Sequence, residues 1–172
     1  QRECREEVDQ ALDDVLAFMK HIRSRIEQYV QFARETKSFV EEQKGNHPNC
    51  ESQLSEIAAL IGELEENYER RKPGIGTPEY AEDLVRRFRT EVRDYGGDDA
   101  LAKCKEITNA IVRVGDNQDE LVGESRMVVK LLRQKIGLMA ALHPEIGDLA
   151  TEIRNRTQAI LRNPASYEAP RH

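Results

Sequence analysis

The chain of 172 residues contains four histidines, the side chains that most often act as general acids, bases and metal ligands near neutral pH. His21 lies in a helical pattern, His47 and His143 each precede a proline, and His172 is the last residue. No glutamate lies three residues before any of them, which excludes the Glu-x-x-His motif of carboxylate-bridged di-iron bundles. His47 and Cys50 have the spacing of half a metal site without a second half. We therefore expect no metal, no cofactor and no catalytic activity.

The three cysteines form no Cys-x-x-Cys motif, which excludes a zinc ribbon, a thioredoxin-type redox pair and covalent haem attachment. Cys4 and Cys104 lie near the starts of two predicted helices that run parallel, whereas Cys50 lies at the opposite end. One interpretation is a Cys4–Cys104 disulfide, which would close a long loop and stabilise the fold by about 4 kcal/mol. The other is that all three thiols are reduced and Cys104 is a small apolar residue of a helical stripe.

Arginines form the densest basic cluster of the chain. Arg86, Arg89 and Arg93 project from one side of a predicted helix, where they could bind an anionic ligand or an acidic protein surface. Aspartates and glutamates are interleaved with them at spacings that allow pairing along the helix. A solvated face neutralised by its own ion pairs is therefore the alternative interpretation.

Two polar residues, Gln118 and Ser125, interrupt an otherwise aliphatic stripe and are flanked by Gly115 and Gly123. Such a polar mid-section could hold waters, admit a ligand or act as a flexible joint. Polar residues in a helical seam also specify the register of packing at some cost in stability. Both interpretations stay open, and Gln118 and Ser125 are candidate binding residues.

Long helices are predicted to position these residues. From Val8 onward, apolar residues recur at alternate steps of four and three for more than four heptads, which predicts a helix over 3–44. The same periodicity predicts a helix over 98–142. A turn at 115–117 is the alternative, but the heptad phase is preserved across these residues, so we expect one continuous helix.

Prolines and glycines divide the remaining sequence. A pair of helices is predicted over 50–95 with a break at 73–78, and a last helix over 144–162 follows His143 and its proline. Short loops make neighbouring helices antiparallel. The predicted fold is all-α: an elongated antiparallel up-down helical bundle of three long rods, the second broken at 73–78, with the shorter C-terminal helix folding back.

The composition agrees with this fold class. Charged residues make up 34% of the chain and aromatic residues 5%, and six prolines with ten glycines are too few for the turns of a sandwich or barrel. No apolar run approaches the ~18 residues of a membrane span. The net charge of -6 argues against nucleic acid as a partner. We predict one helical-bundle domain over 1–163 and a loose tail over 164–172.

These observations predict a non-catalytic interaction or structural module with a protein partner, and oligomerisation remains open. Loops on rigid scaffolds often carry recognition, so contact is expected at 45–49 and 73–78. The alternatives are a ligand-binding bundle with a cavity at the polar mid-section, and an accessory helical domain of a larger protein. A signal peptide removed before Gln1 would place the protein outside the cytoplasm, with a cytoplasmic location as the alternative.

Overall fold

The computed structural model describes the backbone of residues 2–75 and 78–165 and the side chains of 5–74, 80 and 82–162. Within these residues the chain is all-α, which confirms the predicted fold class: long helices pack antiparallel and a shorter C-terminal helix packs back. Two short 3-10 turns, Pro48–Cys50 and Pro144–Ile146, join consecutive helices. The helices are α1 (Arg2–Asn46), α2 (Glu51–Ile75), α3 (Pro78–Glu91), α4 (Asp98–Leu142) and α5 (Gly147–Ala165).

The described residues fall into two compact units. The α3 unit consists of residues 2–24, 72–75 and 78–119, which include the first part of α1, the end of α2, the helix α3 and the first part of α4. The α5 unit consists of residues 25–71 and 120–165, which are the remainder of α1, most of α2, the remainder of α4 and the helix α5. The single domain predicted over 1–163 stays a prediction.

In the α3 unit, α1 and α3 pack antiparallel, because Asp13 pairs with Arg89 near the end of α3 while Lys20 pairs with Glu82 near its start. The core consists of the aliphatic and aromatic stripe residues whose spacing predicted the helices. Its buried members are Leu12, Leu84, Val85, Phe88, Val92, Ala100, Ile107 and Ala110. Burying such a side chain contributes about 1.5–3 kcal/mol, so this stripe is what holds the short helix α3 in place.

In the α5 unit, four helix segments alternate in direction. Asn67 of α2 bonds to the carbonyl of Leu121 in α4, and Glu56 pairs with Lys135 further along α4, so these two helices are antiparallel. The last helix packs back onto α1, where Arg25 donates a hydrogen bond to the carbonyl of Arg162 at 3.1 Å.

The α5 unit contains the same helical hairpin twice. His143 lies 96 positions after His47, both histidines precede a proline that opens a 3-10 turn, and their dihedral angles agree: φ -133° and ψ 71° at His47, φ -132° and ψ 75° at His143. Ten positions buried in the first hairpin are buried again 96 residues later. These pairs are Ile26/Val122, Tyr29/Ser125, Ala33/Val129, Thr36/Leu132, Val40/Ile136, Cys50/Ile146, Leu54/Ala150, Ile57/Ile153, Ile61/Thr157 and Leu64/Ile160.

Contacts between the two hairpins follow the same relation. Phe39 of α1 lies under the guanidinium of Arg156 in α5, 4.1 Å from it, and the counterpart of Phe39, Lys135 of α4, pairs with Glu56 in α2. Helix α1 therefore contacts α5 much as α4 contacts α2, although the partner residues are one helical turn out of exact correspondence, because the counterpart of Arg156 is Leu60. This is the pattern expected of two similar bodies related by an approximate two-fold axis. The sequence analysis did not find this repeat because few of the paired residues are identical.

Two predicted helix ends were wrong. Helix α2 continues through Pro73 to Ile75, and α5 continues through Pro164 to Ala165. Each proline lies in the last turn, so the lost N–H bond and the crowding of its ring against the preceding turn affect only the end of the helix, which stops within two residues. The tail predicted over 164–172 lies outside the described residues from 166 onward.

Two further boundaries concern α3 and α4. Helix α3 ends at Glu91 rather than at residue 95, and the chain then turns through a bond from the Gly97 amide to the Asp94 carbonyl. Helix α4 runs unbroken through 115–117, as its preserved heptad phase predicted.

Candidate functional site

A buried polar cluster joins three helices of the α5 unit. Ser125 of α4, which has no exposed surface, lies 2.8 Å from the hydroxyl of Tyr29 in α1 and 3.0 Å from the amide nitrogen of Asn67 in α2. The Tyr29 hydroxyl donates to the carbonyl of Leu64 at 2.9 Å. Its single hydrogen is thereby used, so Ser125 donates to Tyr29 and itself accepts from Asn67. The cluster is a directed chain from Asn67 through Ser125 and Tyr29 to Leu64.

The groups of this cluster are suited to fixing how the three helices pack. Burial is the main cause that raises the pKa of Tyr29 to about 12, so its phenol stays neutral at physiological pH. A serine nucleophile requires an adjacent base, and the neighbours of Ser125 are a neutral phenol and an amide. Polar groups that bond to one another in a low-dielectric interior favour one register of packing. The Oδ1 atom of Asn67 is buried and accepts no hydrogen bond from the described residues.

The two predicted mid-section residues lie in different units. Gln118 is half-buried in the α3 unit, and Ser125 is fully buried in the α5 unit. The residues that actually join Ser125 are Tyr29 and Asn67, which the sequence analysis did not select as binding residues. Each of the three helices carries a polar side chain in its apolar stripe, and this shared feature of the sequence was the signal that could have revealed the cluster.

The predicted basic cluster is engaged by carboxylates of its own chain. Arg86 pairs with Asp83 one turn earlier on α3. Arg89 crosses to α1, where its Nη2 lies 2.7 Å from Asp13, and this hydrogen bond raises the pKa of Arg89. Arg93 is exposed, and its carbonyl accepts a hydrogen bond from Arg5. Arg86 thus pairs within α3, and Arg89 links α3 to α1.

The described residues contain no group of three or more His, Cys, Asp and Glu side chains that could hold a metal ion. His21 is exposed on α1, and His143 lies 3.5 Å from Glu145 in its own turn. Cys50 is a buried free thiol whose pKa is raised by burial.

Cys104 is an exposed free thiol, so the predicted Cys4–Cys104 bond is absent from this structure. The side chain of Cys4 lies outside the described residues. The disulfide predicted at Cys104 is therefore not found. Cys104 is exposed on α4 and is not a member of the apolar core, so it is not the apolar stripe residue of the alternative interpretation either.

The outer side of α4 in the α5 unit carries large apolar side chains exposed to solvent. Met127 is 71% exposed, Leu131 47%, Leu138 60% and Leu142 65%. Met127, Leu131, Gln134, Leu138 and Ala141 follow steps of four, three, four and three residues along one side of the helix, and Leu142 comes directly after Ala141. We call these six residues the α4 seam. The opposite side of the same segment is buried in the core, where Leu132 and Ile136 are fully covered.

The repeated hairpin provides an internal comparison for the α4 seam. Five of the six residues that stand 96 positions earlier on α1 are exposed and polar, and the sixth, the counterpart of Ala141, is the exposed Gly45. Gln31 corresponds to Met127, Glu35 to Leu131, Ser38 to Gln134, Glu42 to Leu138 and Asn46 to Leu142. The hairpin fold is therefore compatible with polar residues at every one of these positions.

Basic residues accompany the α4 seam. Arg126, Lys130 and Arg133 follow one another at helical spacing along one flank, and all three are exposed. No acidic residue stands between positions 125 and 144, although the whole chain has a net charge of -6. Lys135, on the other flank, pairs with Glu56 at 3.2 Å.

None of the described helices is long and apolar enough to cross a membrane. No protein-family model, no curated protein and no solved structure matches this chain. The site is therefore interpreted from its own residues.

Proposed function

We propose that this protein is a non-catalytic helical-bundle interaction module, either as a chain of its own or as an accessory domain of a larger protein, and that its binding face is the α4 seam. The observation that carries the proposal is the exposure of Met127, Leu131, Leu138 and Leu142 on one side of a helix. Exposed apolar patches rimmed by polar residues mark interaction sites, and the α4 seam sets four large apolar side chains on one side of a helix with cations beside them.

The repeat strengthens this argument. If apolar residues at these positions were needed for folding, the first hairpin would carry them as well. It carries glutamates where α4 carries Leu131 and Leu138. The apolar side chains of the α4 seam thus serve something other than the packing of the hairpin, and burial against a partner is the use that offsets their exposure.

The polar mid-section supports the same choice against a ligand-binding bundle. The hydrogen-bonding groups of Ser125 and Tyr29 are occupied by their neighbours in the core. A ligand at this level would have to replace those bonds, and each replaced bond leaves a buried group unpaired at a cost of about 1–3 kcal/mol. An extracytoplasmic location is part of the proposal, and the two free thiols at Cys50 and Cys104 fit either compartment.

Site-specific photo-crosslinking in the cells that make the protein tests this function. The crosslinking residue replaces Gln134, in the middle of the α4 seam, and in a matched control it replaces Ser38, the counterpart position on α1. We expect a discrete protein adduct from position 134 and none from position 38. Equal adduct patterns from both positions, or no adduct from either, would argue against the α4 seam as a binding face.

A further inference from the structure

Resting on the proposed function, we propose that the α4 seam binds an amphipathic helix of a different protein, and that this helix carries Asp or Glu beside its own apolar stripe. The proposal is carried by the spacing of the α4 seam and by the cations along its flank.

The spacing fits a helical partner. The α4 seam repeats every seven residues, from Met127 to Gln134 to Ala141 and from Leu131 to Leu138. A repeat of 3.5 residues per turn keeps one stripe facing a second helix over several turns, with each apolar residue inserted among residues of the partner. The polar Gln134 in the middle of the α4 seam is the type of residue that fixes register in such pairs.

The charge fits an acidic partner. Arg126, Lys130 and Arg133 flank the α4 seam over two helical turns with no acidic residue among them. Residues that flank the apolar stripe of a helix pair choose the partner through interhelical charge pairs. A partner helix with carboxylates at the facing positions neutralises this line of cations, and a basic partner helix is repelled by it.

A second copy of this chain fits poorly at the same face. In a symmetric pair of seams the residues of one flank meet the same flank of the other copy or lie close to it. Lys130 and Arg133 of the two copies would then face each other, and like charges across an interface disfavour association. The partner is therefore expected to be a different protein.

An anionic membrane also attracts cations, but the α4 seam differs from a lipid-binding face. Helices that lie in a membrane interface have a wide apolar face rich in Trp, Phe and Leu. The α4 seam is one residue wide over most of its length, is interrupted by Gln134 and contains no aromatic residue. A membrane is therefore an outcome of the test and not the proposal.

The test uses two labelled synthetic peptides with the same leucine seam in heptad spacing, one with glutamates beside the seam and one with lysines. Each is titrated with the full chain and followed by fluorescence anisotropy. We expect the glutamate peptide to bind at least about tenfold more tightly than the lysine peptide, with the difference reduced at high salt.

Two variants separate the charge from the apolar residues. Lys130→Glu combined with Arg133→Glu should reverse the preference between the peptides. Leu131→Glu combined with Leu138→Glu, which we call the seam variant, introduces the residues found at the counterpart positions Glu35 and Glu42 and should abolish binding of both peptides.

The outcomes distinguish this inference from the proposed function. Equal binding of both peptides that is lost in the seam variant would overturn the acidic partner and leave the binding face intact. If sedimentation equilibrium shows a dimer of the wild-type chain and no dimer of the seam variant, the acidic partner is overturned in favour of a second copy. The binding face again stays intact. Binding to phosphatidylserine vesicles without binding to the glutamate peptide would overturn the inference in favour of a membrane. Absence of binding to either peptide and to vesicles would contradict both proposals.

Discussion

The Tyr29 hydroxyl lies 2.8 Å from the Ser125 Oγ, and these two residues occupy the same position in two hairpins that are 96 residues apart in sequence. Equivalent residues of two related bodies touch each other where the axis between them passes. The directed hydrogen bonds from Asn67 through Ser125 to Tyr29 therefore connect the two hairpins at their common centre. This polar contact fixes their register, and the α4 seam distinguishes their outer sides.

Replacing Ser125 by alanine should destabilise the fold by about 1–3 kcal/mol, because the change leaves one hydrogen of the Asn67 amide and the Tyr29 oxygen without their buried partner. Urea denaturation at neutral pH measures the change. The matched control is Ser38→Ala on the exposed side of α1, which should change the free energy of unfolding by less than about 0.5 kcal/mol. Equal effects of the two substitutions would show that the cluster contributes nothing to stability.

Tyr29 predicts how stability falls at alkaline pH. Its pKa is raised from 10.0 to about 12 in the folded chain, so its contribution is fully present below pH 10 and is lost as the pH rises through 12. By pH 11 this loss amounts to about 1.4 kcal/mol. The free energy of unfolding should therefore fall more steeply between pH 9 and 11 in wild type than in Tyr29→Phe. The other tyrosines are present in both proteins and contribute equally to both profiles. Parallel pH profiles would contradict the buried position of the phenol.

A side chain at position 74 should clash with Asn117, and a second substitution at Asn117 should relieve the clash. A Cβ atom at this position would lie 2.5 Å from Cγ and 2.6 Å from Oδ1 of Asn117, whose amide is bonded to the carbonyl of Arg113. Gly74→Ala should therefore destabilise the chain by about 1–3 kcal/mol, and much less in an Asn117→Ala background.

Gly137→Ala is the control for Gly74→Ala. A Cβ there meets nothing within 4 Å, and the position lies inside α4, so alanine should stabilise the helix by about 0.5–1 kcal/mol. Thermal unfolding of the four variants measures both effects. A stabilising Gly74→Ala would contradict the close approach of Asn117.

Alkylation should distinguish the two described thiols. Cys104 is exposed and should react with iodoacetamide in the native chain without reductant, whereas Cys50 is buried with a raised pKa and should react only after denaturation. Mass spectrometry of peptides from timed samples measures both rates. If Cys104 reacts only once a reductant is added, the chain contains a disulfide at this residue, as first predicted with Cys4.

Much of the fold could be predicted because each helix carries a periodic apolar stripe, and the continuity of α4 followed from the phase of its heptads. The prolines near the ends of α2 and α5 misled the prediction, because Pro73 and Pro164 perturb only the last turn and each helix continues for one or two residues beyond them. The repeat was hidden, because hairpins packed by similar volumes keep the same buried positions with different residues, such as Tyr29 and Ser125.

The candidate site was harder to predict for a physical reason. A stripe of Met127, Leu131, Leu138 and Leu142 has the same spacing whether it faces a core or solvent. The sequence analysis assigned apolar residues of α4 to the packing of the bundle, and only the structure showed that Leu132 is covered while its neighbour Leu131 is not. Exposure depends on the other helices of the unit, which a single stripe does not reveal.

The central claim is that the α4 seam is a binding face and not part of the folded core. The most direct test measures the crosslinked adduct from position 134 and the free energy of unfolding together, in wild type and in the seam variant. We predict that the seam variant loses the adduct while its free energy of unfolding stays within about 0.5 kcal/mol of wild type or rises. A seam variant that retains the adduct, or loses it only together with several kcal/mol of stability, as expected for the buried control Leu132→Ala, would contradict the claim.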